Sequence, residues 1–335
     1  MAETVNIQSM AEDLAQEIFE MFGWERVGPT NSNWPCEQKK RHSKKQAGGH
    51  TSDMVFRYCD PHFGEVVYLI SDLKSYKAAS IDGFDMEDCL KNIGETISCA
   101  ELSKEFRTLY VNESDKNHTR GLLFIYNNDG DYTKDFSKEL EELNPRSLNL
   151  DKGKRLYVLS PARVRYLYSI KKDIESEYRP KGLLGANPPK HFVYPVLSTI
   201  HFFETRSKVA SIETLLAPWQ VIEYGRAGGT NGYLVYTDIS GETDKEFQYL
   251  FDYLFQYQIA VGEVPITIRM PSPHKNAEAV FEKAKRIYAE EYWPLYNIDK
   301  KETTKSAMER QLAQITIKRV PATAPAFSET GQGMK

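Results

Sequence analysis

Thr51-Ser52-Asp53-Met54-Val55-Phe56-Arg57-Tyr58, followed by Val66-Val67-Tyr68-Leu69-Ile70-Ser71-Asp72-Leu73-Lys74-Ser75-Tyr76-Lys77, is the part of the chain whose reading decides the fold. Each stretch is apolar and β-branched or aromatic at its centre. Between them stand Cys59-Asp60-Pro61 and Gly64, turn-forming residues that predict two strands joined as an antiparallel hairpin. Side chains alternate along a strand, so Asp72 and Lys74 share one face. Hairpin pairing then brings Asp53, at the start of the first strand, close to Asp72, near the end of the second. Two carboxylates and one ammonium converge at one end of a sheet.

Two close carboxylates repel, and they favour either a shared proton or a cation between them. Oxygen donors suit a hard ion such as Mg²⁺, which keeps several of its waters. A lysine beside such an ion can lower the proton affinity of a metal-bound water or neutralise a phosphate oxygen, while the ion polarises phosphorus and stabilises the leaving oxygen. This is equipment for phosphodiester hydrolysis.

Reading outward, Ile7, Met10, Ala11, Leu14, Ile18, Met21 and Phe22 recur at helical spacing and predict a helix over 6–22, stopped by Gly23. Trp24 to Gly28 fits a short strand, and Pro29 to His50 is polar and aperiodic, as in a long loop. Met86, Leu90, Ile93, Ile97, Phe106 and Leu109 predict one long helix or two consecutive ones over 85–110, softly interrupted at Gly94, and Leu122 to Tyr126 a buried strand. From 6 to 126 the order is helix, three strands, helix, strand.

With that order, and with Ser52-Asp53 and Asp72-Leu73-Lys74 at those strand positions, the chain resembles the PD-(D/E)XK nuclease superfamily; Ser52 stands where the superfamily usually has Pro. The resemblance implies an α/β, restriction-endonuclease-like core and a DNA-cleaving, Mg²⁺-dependent phosphodiesterase in which Mn²⁺ can substitute. Its metal ligands map onto Asp53, Asp72 and the Leu73 carbonyl, and its catalytic lysine onto Lys74. An acid on the first helix, a frequent further ligand, maps onto Glu17 or Glu12. More loosely, the chain resembles the nuclease-fold subunit of a bacterial two-gene anti-phage defence system, which implies a second protein subunit as partner.

Lys39-Lys40-Arg41-His42-Ser43-Lys44-Lys45 places five full positive charges in the loop that precedes Asp53. Lys39, Lys40, Arg41, Lys44 and Lys45, with Lys77 after the second strand, are the candidate contacts to nucleic-acid phosphates. The chain as a whole, with 43 basic against 47 acidic side chains and a net charge of −4, argues against a whole-molecule nucleic-acid coat.

The second half predicts a further α/β domain: a strand at 156–159, a helix from Pro161 to about Tyr178, a hairpin of 220–224 with 233–239 around a Gly-rich turn, a helix over 242–257, a strand over 265–270 and a helix over 276–292. The expected domains are a nuclease-like 1–130, a linker 131–150, a second α/β domain 151–296 and a largely disordered tail 297–335. The turn at 225–232 lacks the Gly-Lys-Ser/Thr ending of a phosphate-binding loop. Tyr249, Tyr253 and Tyr257 recur every four residues, and residues 150 to 296 are expected to mediate self-association or docking of a second subunit.

The four cysteines, 36, 59, 89 and 99, form no CxxC pair and have no nearby His pair, so neither a zinc site nor a disulfide framework is indicated. An acidic, amphipathic start and the lack of a long apolar run point to a cytoplasmic protein without a membrane span. Two other classes fit the same residues: a nucleic-acid-binding or sensing module that keeps the fold without cleaving, and a structural subunit of a protein complex. The first of these would bind DNA without needing a metal for turnover, and the second would show no salt-sensitive DNA binding.

Overall fold

The computed structural model describes residues 2–42, 49–148, 150–178, 191–194, 206–225, 231–260, 262, 264–296 and 303–321, with backbone alone for 2–8, 292–296 and 303–307. The chain forms two compact units, Met1–Tyr168 with Val209–Ile212, and Ser169–Lys208 with Glu213–Thr323.

The first unit is built on a five-stranded sheet in the order β1-β4-β5-β6-β7, from β1 (Glu25–Val27), β4 (Met54–Cys59), β5 (Val66–Tyr76), β6 (Asn117–Asn127) and β7 (Leu156–Leu159). The expected hairpin is present: β4 and β5 run antiparallel from Met54↔Ser71 to Cys59↔Val66. β6 and β7 then add in parallel. Helix α1 (Ala2–Met21) packs one face, where Phe19 stacks on Trp24 at 4.4 Å and meets Phe56 edge-on at 4.8 Å. The other face, with Val55, Tyr68, Ile70, Leu123 and Ile125, is covered by Leu90, Ile93 and Ile97 of α3 (Met86–Ala100). Burial on both faces accounts for the continuous apolar runs in β4 and β6.

The helix expected over 85–110 breaks at Glu101–Ser103 and not at Gly94. Ser103 caps α4 (Lys104–Tyr110), its hydroxyl accepting the Phe106 N–H. Gly94 stays helical and buried inside α3. The segment expected as a loop, 29–50, contains β2 (Ser32–Trp34), paired with β3 (His50–Ser52) in a small second sheet. Short helices α2 (Ala78–Ile81) and α5 (Ser137–Glu142) complete the unit.

The boundary expected at 131–150 is corrected. Tyr132 and Phe136 are buried in the α3 core and β7 extends the first sheet, so the first unit runs on into α6 (Pro161–Asp173), which continues as a π-helical turn, Ile174–Tyr178.

The second unit carries a six-stranded sheet, β13-β12-β11-β10-β8-β9, from β8 (His191–Val193), β9 (Arg206–Ser207), β10 (Trp219–Gly225), β11 (Asn231–Thr237), β12 (Ile266–Met270) and β13 (Ile315–Arg319). With α7 (Ile212–Leu216), α8 (Asp244–Gln256), α9 (Ala277–Tyr296) and α10 (Thr303–Ala313) it gives the expected α/β region. Thr243 and Glu246 form a capping box at the start of α8. The tail expected to be disordered is corrected over 303–321. β13 pairs in parallel with β12, and Met308, Leu312 and Ile315 are buried in the core of this unit. The turn residues 226–230 and residues 322–335 lie outside the described residues. Among the described residues no helix is long and apolar enough to cross a membrane.

Candidate active site

Asp53 occupies the single position between β3 and β4, and the Met54↔Ser71 pairing carries it one step further, to the level of Asp72. Its Oδ2 accepts the Leu73 N–H at 2.8 Å. In an extended strand the N–H and C=O of one residue point to the same side, so the Leu73 carbonyl is turned to the side on which Asp53 stands. Asp72 and Lys74, on the same face of β5, form an ion pair of 2.5 Å between Oδ1 and Nζ.

Burial is the main reason that the Asp53 carboxyl is pushed up to about 6. The Leu73 N–H opposes that rise, the charge of Asp72 adds to it and the Lys74 ammonium again opposes it. Burial alone would pull Lys74 down, yet the charge of Asp72 and the bond to it hold its ammonium above the ordinary lysine range. Lys74 is therefore a fixed cation at neutral pH, and Asp53 is a carboxylate that its surroundings would rather see neutralised.

These three side chains line a cleft of about 300 Å³ whose other wall is α3, through Cys89, Asn92, Ile93 and Thr96. Burial pushes the Cys89 thiol up to about 11, which keeps it protonated and unsuited to nucleophilic attack. The two carboxylates that line the cleft are oxygen donors only. This set fits a hard divalent cation that retains waters, and the placing of two carboxylates, Asp53 and Asp72, in one cleft favours such an ion.

The acids of α1 separate. Glu12 accepts from Asn31 Nδ2 at 2.8 Å, and the Asn31 N–H in turn bonds the Asp53 carbonyl at 2.9 Å. Glu17 is half-buried on α1 and is not among the residues lining the cleft. Asn31 takes a left-handed conformation, φ 51°, to make this connection.

Lys39, Lys40 and Arg41 are exposed, and Arg41 is tied to Asp151 at 2.7 Å. Lys77 is exposed directly after β5. Lys44 and Lys45 lie outside the described residues. The tyrosine stripe of α8 divides. Tyr249 is 66% exposed, whereas Tyr253 and Tyr257 pack on the core, Tyr253 against Trp219 at 4.9 Å.

One group escaped the reading of the sequence. Cys36, His42, His50 and Cys99, all buried, bring their ligand atoms within 4.8 Å of one another. This corrects the expectation of no zinc-type constellation. No local CxxC or HxxxH signal marks it, because Cys36 and Cys99 lie 63 positions apart and meet only through the packing of the basic segment on α3.

A hairpin with an acid before its first strand, an acid-x-Lys triplet in its second and flanking helices is an arrangement similar to that of the PD-(D/E)XK nuclease fold. Comparison with known families gives the particular relationship: residues 1–163 match the family described as the GAPS4 protein PD-(D/E)XK nuclease domain. No curated protein matches the chain.

Proposed function

We propose that this domain hydrolyses DNA phosphodiester bonds with Mg²⁺, for which Mn²⁺ can substitute. We further propose that it does so in the cytoplasm in anti-phage defence, together with a second protein subunit. The observation that carries the reading is the meeting of Asp53, Asp72 and Lys74 within one register step at the mouth of a cleft. Asp53, Asp72 and the Leu73 carbonyl are the ligands in this reading. When bound, the ion supplies a Lewis acid at phosphorus and charge beside the attacking and leaving oxygens.

The residues supply the rest. The Leu73 N–H fixes one oxygen of Asp53 and so orients the other toward the donor set. Lys74, kept protonated by Asp72, faces a phosphate oxygen as a cation and steadies the charge that builds in the transition state. Lys39, Lys40 and Lys77, with Lys44 and Lys45 of the same segment, grip the backbone and position the strand. The defence role rests on the GAPS4 likeness, GAPS4 being an anti-phage defence protein.

The test is incubation of the purified chain with linear and circular DNA, with Mg²⁺ and with excess EDTA, beside an Asp72→Ala variant. Each condition is repeated with extract of the native cell to supply a second subunit. Cleavage that needs Mg²⁺ and disappears in the variant supports the reading. Cleavage that persists in EDTA or in Asp72→Ala contradicts it.

A further inference from the structure

The buried Cys/His cluster stands apart from the two carboxylates, and its chemistry is different. Tetrahedral Zn²⁺ with bonds of ~2.3 Å to sulfur and ~2.0–2.1 Å to nitrogen sets S···S edges of ~3.8 Å and S···N edges of ~3.6 Å. The Cys36 and Cys99 sulfurs are 3.8 Å apart, and His42 Nδ1 lies 3.6 Å from Cys36 Sγ and 3.3 Å from Cys99 Sγ. Three corners of a tetrahedron are thus in place to within about 0.3 Å.

The fourth ligand is His50, and its tautomer can be derived. Thr96 Oγ1 donates its only hydrogen to the Asn92 carbonyl at 2.8 Å, so it must accept in its contact with His50 Nδ1 at 3.2 Å. His50 therefore carries its proton on Nδ1, and the lone pair is on Nε2. A ligating histidine held in this way by an outer hydrogen bond is the usual arrangement at metal sites.

We propose that Cys36, His42, His50 and Cys99 hold one structural Zn²⁺ ion. Binding releases the two thiol protons to solvent, and the two thiolates balance the dication, so the filled site is neutral in its buried surroundings. Soft sulfur donors select Zn²⁺ over Mg²⁺. Four protein ligands, each no more than 3% exposed, leave no position for a substrate, so the ion is structural.

Its placement gives it a task. Cys36 and His42 bracket Lys39-Lys40-Arg41, His50 opens the strand that leads to Asp53, and Cys99 sits on α3, the helix that walls the cleft. The ion would staple the basic segment to the cleft wall and to the approach to Asp53.

The experiment is elemental analysis of the full chain purified without chelators, followed by Co²⁺ titration of the reduced, zinc-stripped chain. We expect about one zinc per chain that survives dialysis against Mg²⁺. Co²⁺ should give the intense visible bands of a tetrahedral site and a thiolate-to-cobalt band, saturating at one equivalent and bleached by Zn²⁺. Cys36→Ser and Cys99→Ser should lose the metal, and Cys59→Ser, at an exposed cysteine, should keep it. Should the Cys36 and Cys99 variants fail to fold, the parent spectrum alone decides. A zinc-free parent without tetrahedral cobalt bands overturns the proposal, as does a Cys36–Cys99 disulfide, seen as a loss of two hydrogen masses in the native chain.

Discussion

At the scale of single residues, Asp53 is held in a state that the fold disfavours. Its carboxyl is raised from 3.8 to about 6, mainly by burial and also by Asp72. The fold therefore gains from a protonated Asp53 below about pH 4 and loses that gain as pH rises through about 6. Asp53→Asn is the neutral isostere and still accepts the Leu73 N–H. Without Mg²⁺ it should be more stable than the parent by roughly 1–2 kcal/mol at pH 8, and equal to it near pH 4. Thermal unfolding across that range checks the sign; a variant less stable at pH 8 would show that the ionised carboxylate is welcome there. Asp53, Asp72 and Lys74 were legible in the sequence because strand alternation and one hairpin suffice to bring them together. The Cys/His cluster was not, since its ligands come from a loop, a short strand and a distant helix.

At the scale of elements, the cleft depends on α3 lying close on β6. Gly121 permits that approach, for a Cβ there would stand 2.4 Å from Ile93 Cγ2 and 2.5 Å from Leu156 Cδ2. Gly121→Ala should force the helix outward and cost about 1–3 kcal/mol, read as a lower midpoint in urea. An unchanged midpoint would mean that Ile93 and Leu156 yield freely. The basic segment belongs to this scale too. Lys39→Ser with Lys40→Ser should weaken DNA binding and reduce its salt slope by ~0.9 for each phosphate that is no longer neutralised. Arg41, paired with Asp151, is better read as an anchor of that segment. A double variant with the parent's slope would assign both lysines to solvent. The helix break at Glu101–Ser103 was hidden by periodicity, which continues through Phe106 and Leu109; the Ser103 cap was the signal to read.

At the scale of the whole molecule, hydropathy alone misjudged the C-terminal region. Residues 303–321 are polar in composition, but Met308, Leu312 and Ile315 are spaced to face one core, and β13 covers an edge of β12 that would otherwise be open. A chain ending at residue 302 should lose cooperative unfolding of the second unit and aggregate, while one ending at 321 should match the parent. If the shorter chain is monomeric and as stable, β13 is dispensable. The α/β class of both halves followed from the alternation of strands and helices. The boundary did not, because β7 follows a polar stretch that the eye takes for a linker, whereas Tyr132 and Phe136 anchor that stretch in the first core.

The central claim is that Asp53 and Asp72 beside Lys74 form a metal-dependent hydrolytic centre. The most direct measurement is the single-turnover cleavage rate of an end-labelled DNA duplex in Mg²⁺ by the parent and by Asp53→Asn, with native extract added equally to both. The same substitution that raises stability at pH 8 should reduce cleavage by at least ~100-fold. Cleavage at the parent's rate by a folded Asp53→Asn chain would contradict the claim.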